Sequence, residues 1–205
     1  MPVVVVANPK GGVGKSTVAT NIAGYFASQG RPVMLGDADR QQSSRLWLNL
    51  RPPSARSILG WDIGEGKVAR PPKGTTHVVI DTPAGLHGKD LRDLLVPASK
   101  VIVPLGPSVF DIFATRTFLD ELAGHHRTRG LQVGIVGTRV DNRTLAADQL
   151  RAFVKDLGLP VVGELRPTQN YVHLAARGLT LFDLSPARVE RDLVQWVPIT
   201  RWLDS

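Results

Sequence analysis

Between an apolar run at the start of the chain, Pro2 to Ala7, and a helical pattern that begins at Lys15, the sequence reads Asn8-Pro9-Lys10-Gly11-Gly12-Val13-Gly14-Lys15-Ser16-Thr17. No other stretch restricts the fold as strongly. A short unbroken apolar run reads as a strand of a parallel sheet, buried on both faces. Glycines at 11, 12 and 14 let the backbone wrap closely around phosphate oxygens with its N–H groups turned inward. The helix behind them contributes the positive end of its dipole. The pattern G-x-x-x-x-G-K-[ST] is met in relaxed form, with Gly11, Gly12 and Gly14 ahead of Lys15-Ser16. Lys15 is placed to reach the β- and γ-phosphates of a nucleotide, and the Ser16 hydroxyl to ligate Mg2+.

The rest of the chain repeats the same alternation. Lys15 to Ser28 carries Val18, Ile22, Tyr25 and Phe26 at helical spacing, with Gly30 as a stop. Arg31 to Leu35 reads as a strand and Gln41 to Leu50 as a short helix. Residues 51–76 are rich in Pro and Gly and read as a long surface connection with room for one small element. Strands follow at His77–Ile80, Val101–Pro104, Leu131–Val136 and Val161–Leu165, interleaved with helices at Lys89–Val96, Phe110–His125, Leu145–Leu157 and about 168–177. A last helix starts at Ser185-Pro186, and Pro198 is expected to interrupt it. Strands alternating with helices imply right-handed βαβ units. The expected fold is therefore α/β, a doubly wound, mainly parallel sheet flanked by helices, as a single domain over residues 1–205.

At the end of Val78-Val79-Ile80, Asp81 is a carboxylate delivered to the C-terminal edge of the sheet, where ligands bind in open α/β folds. It is the candidate to hold Mg2+ through water, together with Ser16. Thr82-Pro83-Ala84-Gly85 follows, and Gly85 suits a close backbone approach to the γ-phosphate. Asp37 and Asp39 stand at the end of the second strand. Asp39 is either a helix N-cap or a group that works on the phosphate, and the two roles are compatible.

The chain has no cysteine, which removes disulfides, iron–sulfur clusters and thiolate chemistry. The N-terminus lacks the basic start and long apolar segment of a signal peptide, and no apolar stretch approaches the ~20 residues needed to span a bilayer. A cytoplasmic protein is expected. The net charge is +7, and 18 of the 25 basic residues are arginine. Such a balance favours nucleic acid or anionic lipid through phosphate neutralisation, or is simply a solvated basic surface.

Lys10-Gly11-Gly12-Val13-Gly14-Lys15-Ser16-Thr17 resembles the signature K-G-G-x-G-K-[ST]-[ST] of the ParA/MinD family of deviant Walker A ATPases. Three more segments carry the resemblance: Asp37-Ala38-Asp39-Arg40-Gln41, similar to D-x-D-P-Q; Val78 to Gly85, similar to the Walker B strand and its switch; and Gly178-Leu179-Thr180-Leu181-Phe182-Asp183 near the end. Arg40 stands where the family has proline, and Gly36 where it has an apolar residue. The resemblance implies a P-loop NTPase fold that binds ATP through Lys10, Gly11, Gly12, Val13, Gly14, Lys15, Ser16 and Thr17, with Lys10 reaching across to a partner's nucleotide. It implies Lys10, Lys15 and Asp39 as catalytic residues, with Asp39 orienting the attacking water, and adenine contacts near Thr138 and Pro167.

The same resemblance implies an ATP-bound homodimer, slow hydrolysis raised by a stimulating or adaptor protein on a cargo, and one of two surfaces to hold on to. ParA-like members bind DNA nonspecifically. For that role Arg166, Arg177, Arg188 and Arg191 are the candidates, and the expected location is the nucleoid. MinD-like members dock on membranes through a C-terminal helix. Here Val189 to Leu203 carries two tryptophans but little basic charge, so membrane docking is not expected. A third reading, a metabolic P-loop ligase or small-molecule kinase, uses the same sheet and loop without needing Lys10.

Overall fold

A computed structural model describes residues 1–63 and 73–205. Seven strands form one sheet: β1 (Val3–Val6), β2 (Val33–Asp37), β3 (Leu59–Asp62), β4 (His77–Asp81), β5 (Lys100–Leu105), β6 (Gln132–Thr138) and β7 (Val161–Leu165). Their order is β3-β2-β4-β1-β5-β6-β7, and every pairing is parallel. The helices are α1 (Lys15–Ser28), α2 (Ser43–Leu50), α3 (Gly88–Leu95), α4 (Val109–Arg129), α5 (Leu145–Leu157), α6 (Asn170–Ala175) and α7 (Pro186–Asp204), with a 3-10 turn at Leu181–Asp183.

Alternation along β1 explains why the strand is apolar throughout. Val3 and Val5 join a core with Leu91, Leu94, Phe118, Leu122 and Leu150, from the α3–α5 layer. Val4 and Val6 join a second core with Ile22, Phe26, Trp47, Trp196 and Ile199, from α1, α2 and α7. The crossover out of β1 passes over β4 to reach β2, and the crossover out of β4 passes over β1 to reach β5. The two run in opposite directions on opposite faces, so the loops at the C-terminal edge part beside β1. That is where a doubly wound sheet forms its ligand crevice.

Two expectations change. The connection over 51–76 contributes a seventh strand, β3, at the edge of the sheet, in register with β2 from Met34↔Leu59 to Asp37↔Asp62. Its residues 64–72 lie outside those described. A Cβ on Gly36 would stand 2.5 Å from Ile63 and 3.0 Å from the Trp61 ring, so these two side chains fill the room that an apolar residue at 36 would take. Secondly, Pro198 does not interrupt α7, which runs on to Asp204 and departs from helical geometry at Val189 instead. Val194, whose carbonyl loses the bond that a non-proline at 198 would make, is on the solvent side, as is Pro198. Water can complete that carbonyl, which is the condition under which a helix tolerates proline.

α7 covers the sheet with Trp196, Ile199 and Leu203, all buried. The Trp196 indole donates to the Tyr171 hydroxyl at 2.9 Å. The end of the helix is tied down twice. Asp204 accepts from Tyr25 and from Arg31 at 2.6 Å, and Lys100 Nζ donates to the Trp202 carbonyl beneath the Trp202 ring.

The α2–β3 connection is anchored from within. Arg51 donates to both carboxylate oxygens of Asp183, at 2.7 and 3.0 Å, and to the Gly178 carbonyl at 3.0 Å. Asp183 also accepts from the Thr180 N–H and hydroxyl, both at 2.7 Å. Gly178 has φ 65°, and a Cβ there would meet the Leu50–Arg51 backbone at 2.3–2.5 Å, so only glycine permits this approach.

Candidate functional site

The loop between β1 and α1 turns through Gly12 (φ 74°) and Gly14 (φ 92°), both in the left-handed region where a side chain is strained. Val13 between them is buried, and its carbonyl accepts from the Thr138 hydroxyl at 2.9 Å. Asn8 braces the loop from behind. It donates to the Pro104 carbonyl at 2.8 Å and accepts from the Lys10 N–H at 2.8 Å. The first turn of α1 has no side-chain cap and no acidic residue, so its N–H groups have no side-chain acceptor. A helix start left in this way suits an anion. Lys15 is buried with its Nζ turned into the loop, donating to the Lys10 carbonyl at 2.7 Å. Burial lowers its pKa, and the charges of Asp81 and Asp39 oppose that shift.

Facing the loop across a cleft of about 940 Å³ are Ala38, Asp39, Arg40, Gln41 and Ser43 on one side and Pro83 and Ala84 on another. The sequence-predicted residues Gly11, Gly12, Gly14, Lys15, Ser16, Thr17 and Asp39 all line this cleft. The volume lies at the upper end of the range for small-molecule sites. Next in the chain after Ala84, Gly85 (φ 74°) donates its N–H to the Pro9 carbonyl at 2.8 Å.

The acidic residues divide the work differently from the D-x-D pattern alone. Asp37 caps α2: its carboxylate accepts from the N–H groups of Ser44 (2.8 Å), Arg45 (3.1 Å) and Asp39 (2.9 Å). Asp39 makes a local turn instead, accepting from the Gln41 N–H at 3.0 Å, and is left at the cleft wall. The chain then enters α2 through Gln42, a non-glycine residue with φ 50°. Capping by Asp37 carries no sequence signal beyond the pair of aspartates.

Asp81 is buried at the end of β4. Its Oδ2 accepts from the Ser44 hydroxyl at 2.7 Å, and its Oδ1 is buried without a hydrogen-bond partner. Burial raises its pKa to about 6, against the Ser16 and Ser44 hydroxyls and Lys15, which favour the ionised form. An orphaned buried carboxylate oxygen beside a P-loop serine fits Mg2+. No group of three or more His, Cys, Asp or Glu among the described residues could cage a metal. The donor set is one carboxylate, one hydroxyl and the loop's phosphate cradle, the kind Mg2+ uses while keeping several waters.

A raised carboxylate pKa carries a sign. The stability it contributes is present below the unfolded value near 3.8 and is lost as pH rises through about 6. In Mg2+-free buffer, Asp81→Asn should therefore gain on the wild type between pH 4.5 and pH 7, by about 2 kcal/mol. Urea unfolding at the two pH values measures it, and an unchanged difference would contradict the assignment.

Lys10 is half exposed, with its ammonium 3.7 Å from Asp111 on the first turn of α4. Phe110 and Phe113 beside it are 82% and 67% exposed. Pro167 is exposed just after β7. Of the four candidate arginines, Arg166 bonds Asp192 at 2.6 Å, so its charge is already balanced. Arg177 at the end of α6 and Arg188 and Arg191 at the start of α7 are exposed. Two other C-terminal arginines are paired: Arg143 with Asp141, and Arg151 with Glu164 and Asp148. Among the described residues no helix is long and apolar enough to cross a membrane.

Residues 4–181 match the model of the CobQ/CobB/MinD/ParA nucleotide binding domain. The maintenance of carboxysome distribution protein A of Halothiobacillus neapolitanus is 27% identical over 188 residues, 87% of this chain and 86% of that protein. The chromosome-partitioning ATPase Soj of Thermus thermophilus is 27% identical over 187 residues, 74% of this chain and 75% of its own length. Among solved structures, the MinC:MinD cell division protein complex of Aquifex aeolicus superposes with a TM-score of 0.73 at 18% identity, covering 99% of this chain and 95% of that one.

Proposed function

The chain belongs to the CobQ/CobB/MinD/ParA family of nucleotide-binding domains, and from that premise we propose that it is a ParA-like positioning ATPase. It dimerises around ATP and Mg2+, holds DNA without sequence preference, and lets go on hydrolysis when a partner on the cargo stimulates it. The observation that carries this reading is one cleft lined by the glycine loop, Lys15, Ser16 and Asp39, with the orphaned Asp81 oxygen beneath it.

The chemistry follows from the placement of charge. The loop N–H groups and Lys15 bind the phosphates, and the β–γ bridge is where negative charge grows during transfer. Ser16, and Asp81 through water, would hold Mg2+, which would neutralise that charge. Asp39, at the wall opposite the loop, accepts a hydrogen bond from the attacking water and orients it in line. Thr138 acts from behind by fixing the Val13 carbonyl.

A dimer is supported by what surrounds Lys10. Phe110 and Phe113, both exposed, flank Asp111, the ion-pair partner of Lys10, and leave apolar surface there that a partner chain would cover. Light scattering should give 22.2 kDa without nucleotide or with ADP and about twice that with ATP and Mg2+. A mass that stays at 22.2 kDa with ATP and Mg2+ would contradict dimerisation. DNA binding draws on Arg177, Arg188 and Arg191, doubled in the dimer, and phosphate contacts make it steeply salt-dependent. The names of the two curated relatives, one concerned with carboxysome distribution and one with chromosome partitioning, agree with a cargo-positioning role. Membrane docking by α7 is disfavoured, because Trp196, Ile199 and Leu203 face the sheet and both C-terminal ties hold the helix there.

A further inference from the structure

Ser44 has no part in the recognised motifs, yet it is fully buried and both of its donors go to carboxylates. A serine in the first turn of a helix ordinarily caps that helix or bonds a nearby carbonyl. Here Asp37 caps α2, and the Ser44 hydroxyl reaches instead across 37 residues of sequence to Asp81 Oδ2 at 2.7 Å. A hydroxyl has one proton to give, and this one is committed to that oxygen. The effect is to pin one oxygen of the carboxylate and fix its plane, which leaves Oδ1 buried and without a partner. The Ser44 N–H is held by Asp37, whose other oxygen accepts from the Asp39 N–H. A single buried residue therefore connects the Asp81 carboxylate to the segment that carries Asp39.

We propose that Ser44 is a positioning residue of the cation site: it aims the Asp81 carboxylate so that Oδ1 receives a water of the nucleotide-bound Mg2+, and it ties that carboxylate to the start of α2. The proposal rests on the reading of the cleft as a Mg2+–nucleotide site. It assigns no contact between Ser44 and the nucleotide, so the loss of its hydroxyl acts on the cation and leaves metal-free nucleotide binding alone. Partners standing behind a metal site typically change metal affinity 10–100-fold when removed.

The test is a Mg2+ titration of fluorescent mant-ATP binding, with an EDTA baseline, on the wild type, Ser44→Ala and Ser44→Thr, which keeps the hydroxyl. The alanine variant should need about tenfold more Mg2+ for half its effect. Its mant-ATP affinity in EDTA should stay within about twofold of wild type, and the threonine variant should stay near wild type in both arms. The proposal is overturned if alanine leaves the Mg2+ dependence unchanged, if binding in EDTA falls as far as binding in Mg2+, or if threonine shifts the titration as far as alanine. A wild-type chain that gives no mant-ATP signal at all contradicts the nucleotide reading itself, and this proposal with it.

Discussion

Lys15→Ala is expected to raise the dissociation constant for ATP at least ~100-fold, a loss of about 2.7 kcal/mol or more. Lys15 is the buried cation of the cleft, with Asp81 and Asp39 close enough to act on its charge and Asp37 behind them. Without it a polyphosphate must approach Asp81 and Asp39 with no buried cation between them. Truncating one partner of a buried, hydrogen-bonded charge pair typically costs 2–5 kcal/mol, much of it from the charge left behind. The loop itself keeps its shape through Asn8, Thr138 and the two left-handed glycines, so circular dichroism should be unchanged. Isothermal titration with ATP and Mg2+ measures the effect. Affinity within about fivefold of the wild type would show that the charge is not what holds the phosphates.

The largest effect on stability is expected at Asp183. Arg51 and Asp183 are each only 6% exposed, and every oxygen of the carboxylate is engaged by the guanidinium fork or by Thr180. Asp183→Ala leaves a buried guanidinium with no carboxylate beside it, held by the Gly178 and Arg56 carbonyls and the Trp47 ring. Breaking such a pair from one side costs about 3–5 kcal/mol, a large share of the ~5–15 kcal/mol that typically separates native from unfolded protein. The melting temperature should fall by about 10 °C, at a few degrees per kcal/mol for a chain of this size. The Arg51→Ala, Asp183→Ala double variant should cost less than the two single changes combined, by about 2–3 kcal/mol. Additive effects, or a single-variant loss below ~1 kcal/mol, would mean that the pair is not the anchor of the α2–β3 connection.

Much of this architecture is legible in the chain because parallel strands buried on both faces must be apolar throughout. Val3 to Val6 and Val78 to Ile80 therefore declare themselves, and the glycine loop follows the first of them directly. The P-loop residues and Asp81 are legible for the same reason, since chemistry sits at the ends of those strands. β3 is not legible. Leu59-Gly60-Trp61-Asp62 has neither length nor propensity, and it becomes a strand because β2 offers an unpaired edge and Gly36 offers room. Pro198 misleads because the carbonyl it orphans, that of Val194, is on the solvent side, where water can complete it. The roles of Asp37, Ser44 and Thr138 are set by contacts 7, 37 and 125 residues away in sequence, which no local pattern encodes.

The central claim is that ATP, held in this cleft, switches on attachment to DNA. A gel shift with random-sequence DNA tests it most directly, run without nucleotide, with ADP, with ATP and with a non-hydrolysable ATP analogue, beside a Lys10→Ala variant. The account predicts retarded DNA with ATP or the analogue alone, lost in the variant and weakened steeply by salt. Binding that ignores the nucleotide, or no binding with ATP present, would contradict it and turn the search to protein, membrane or small-molecule partners of the same site.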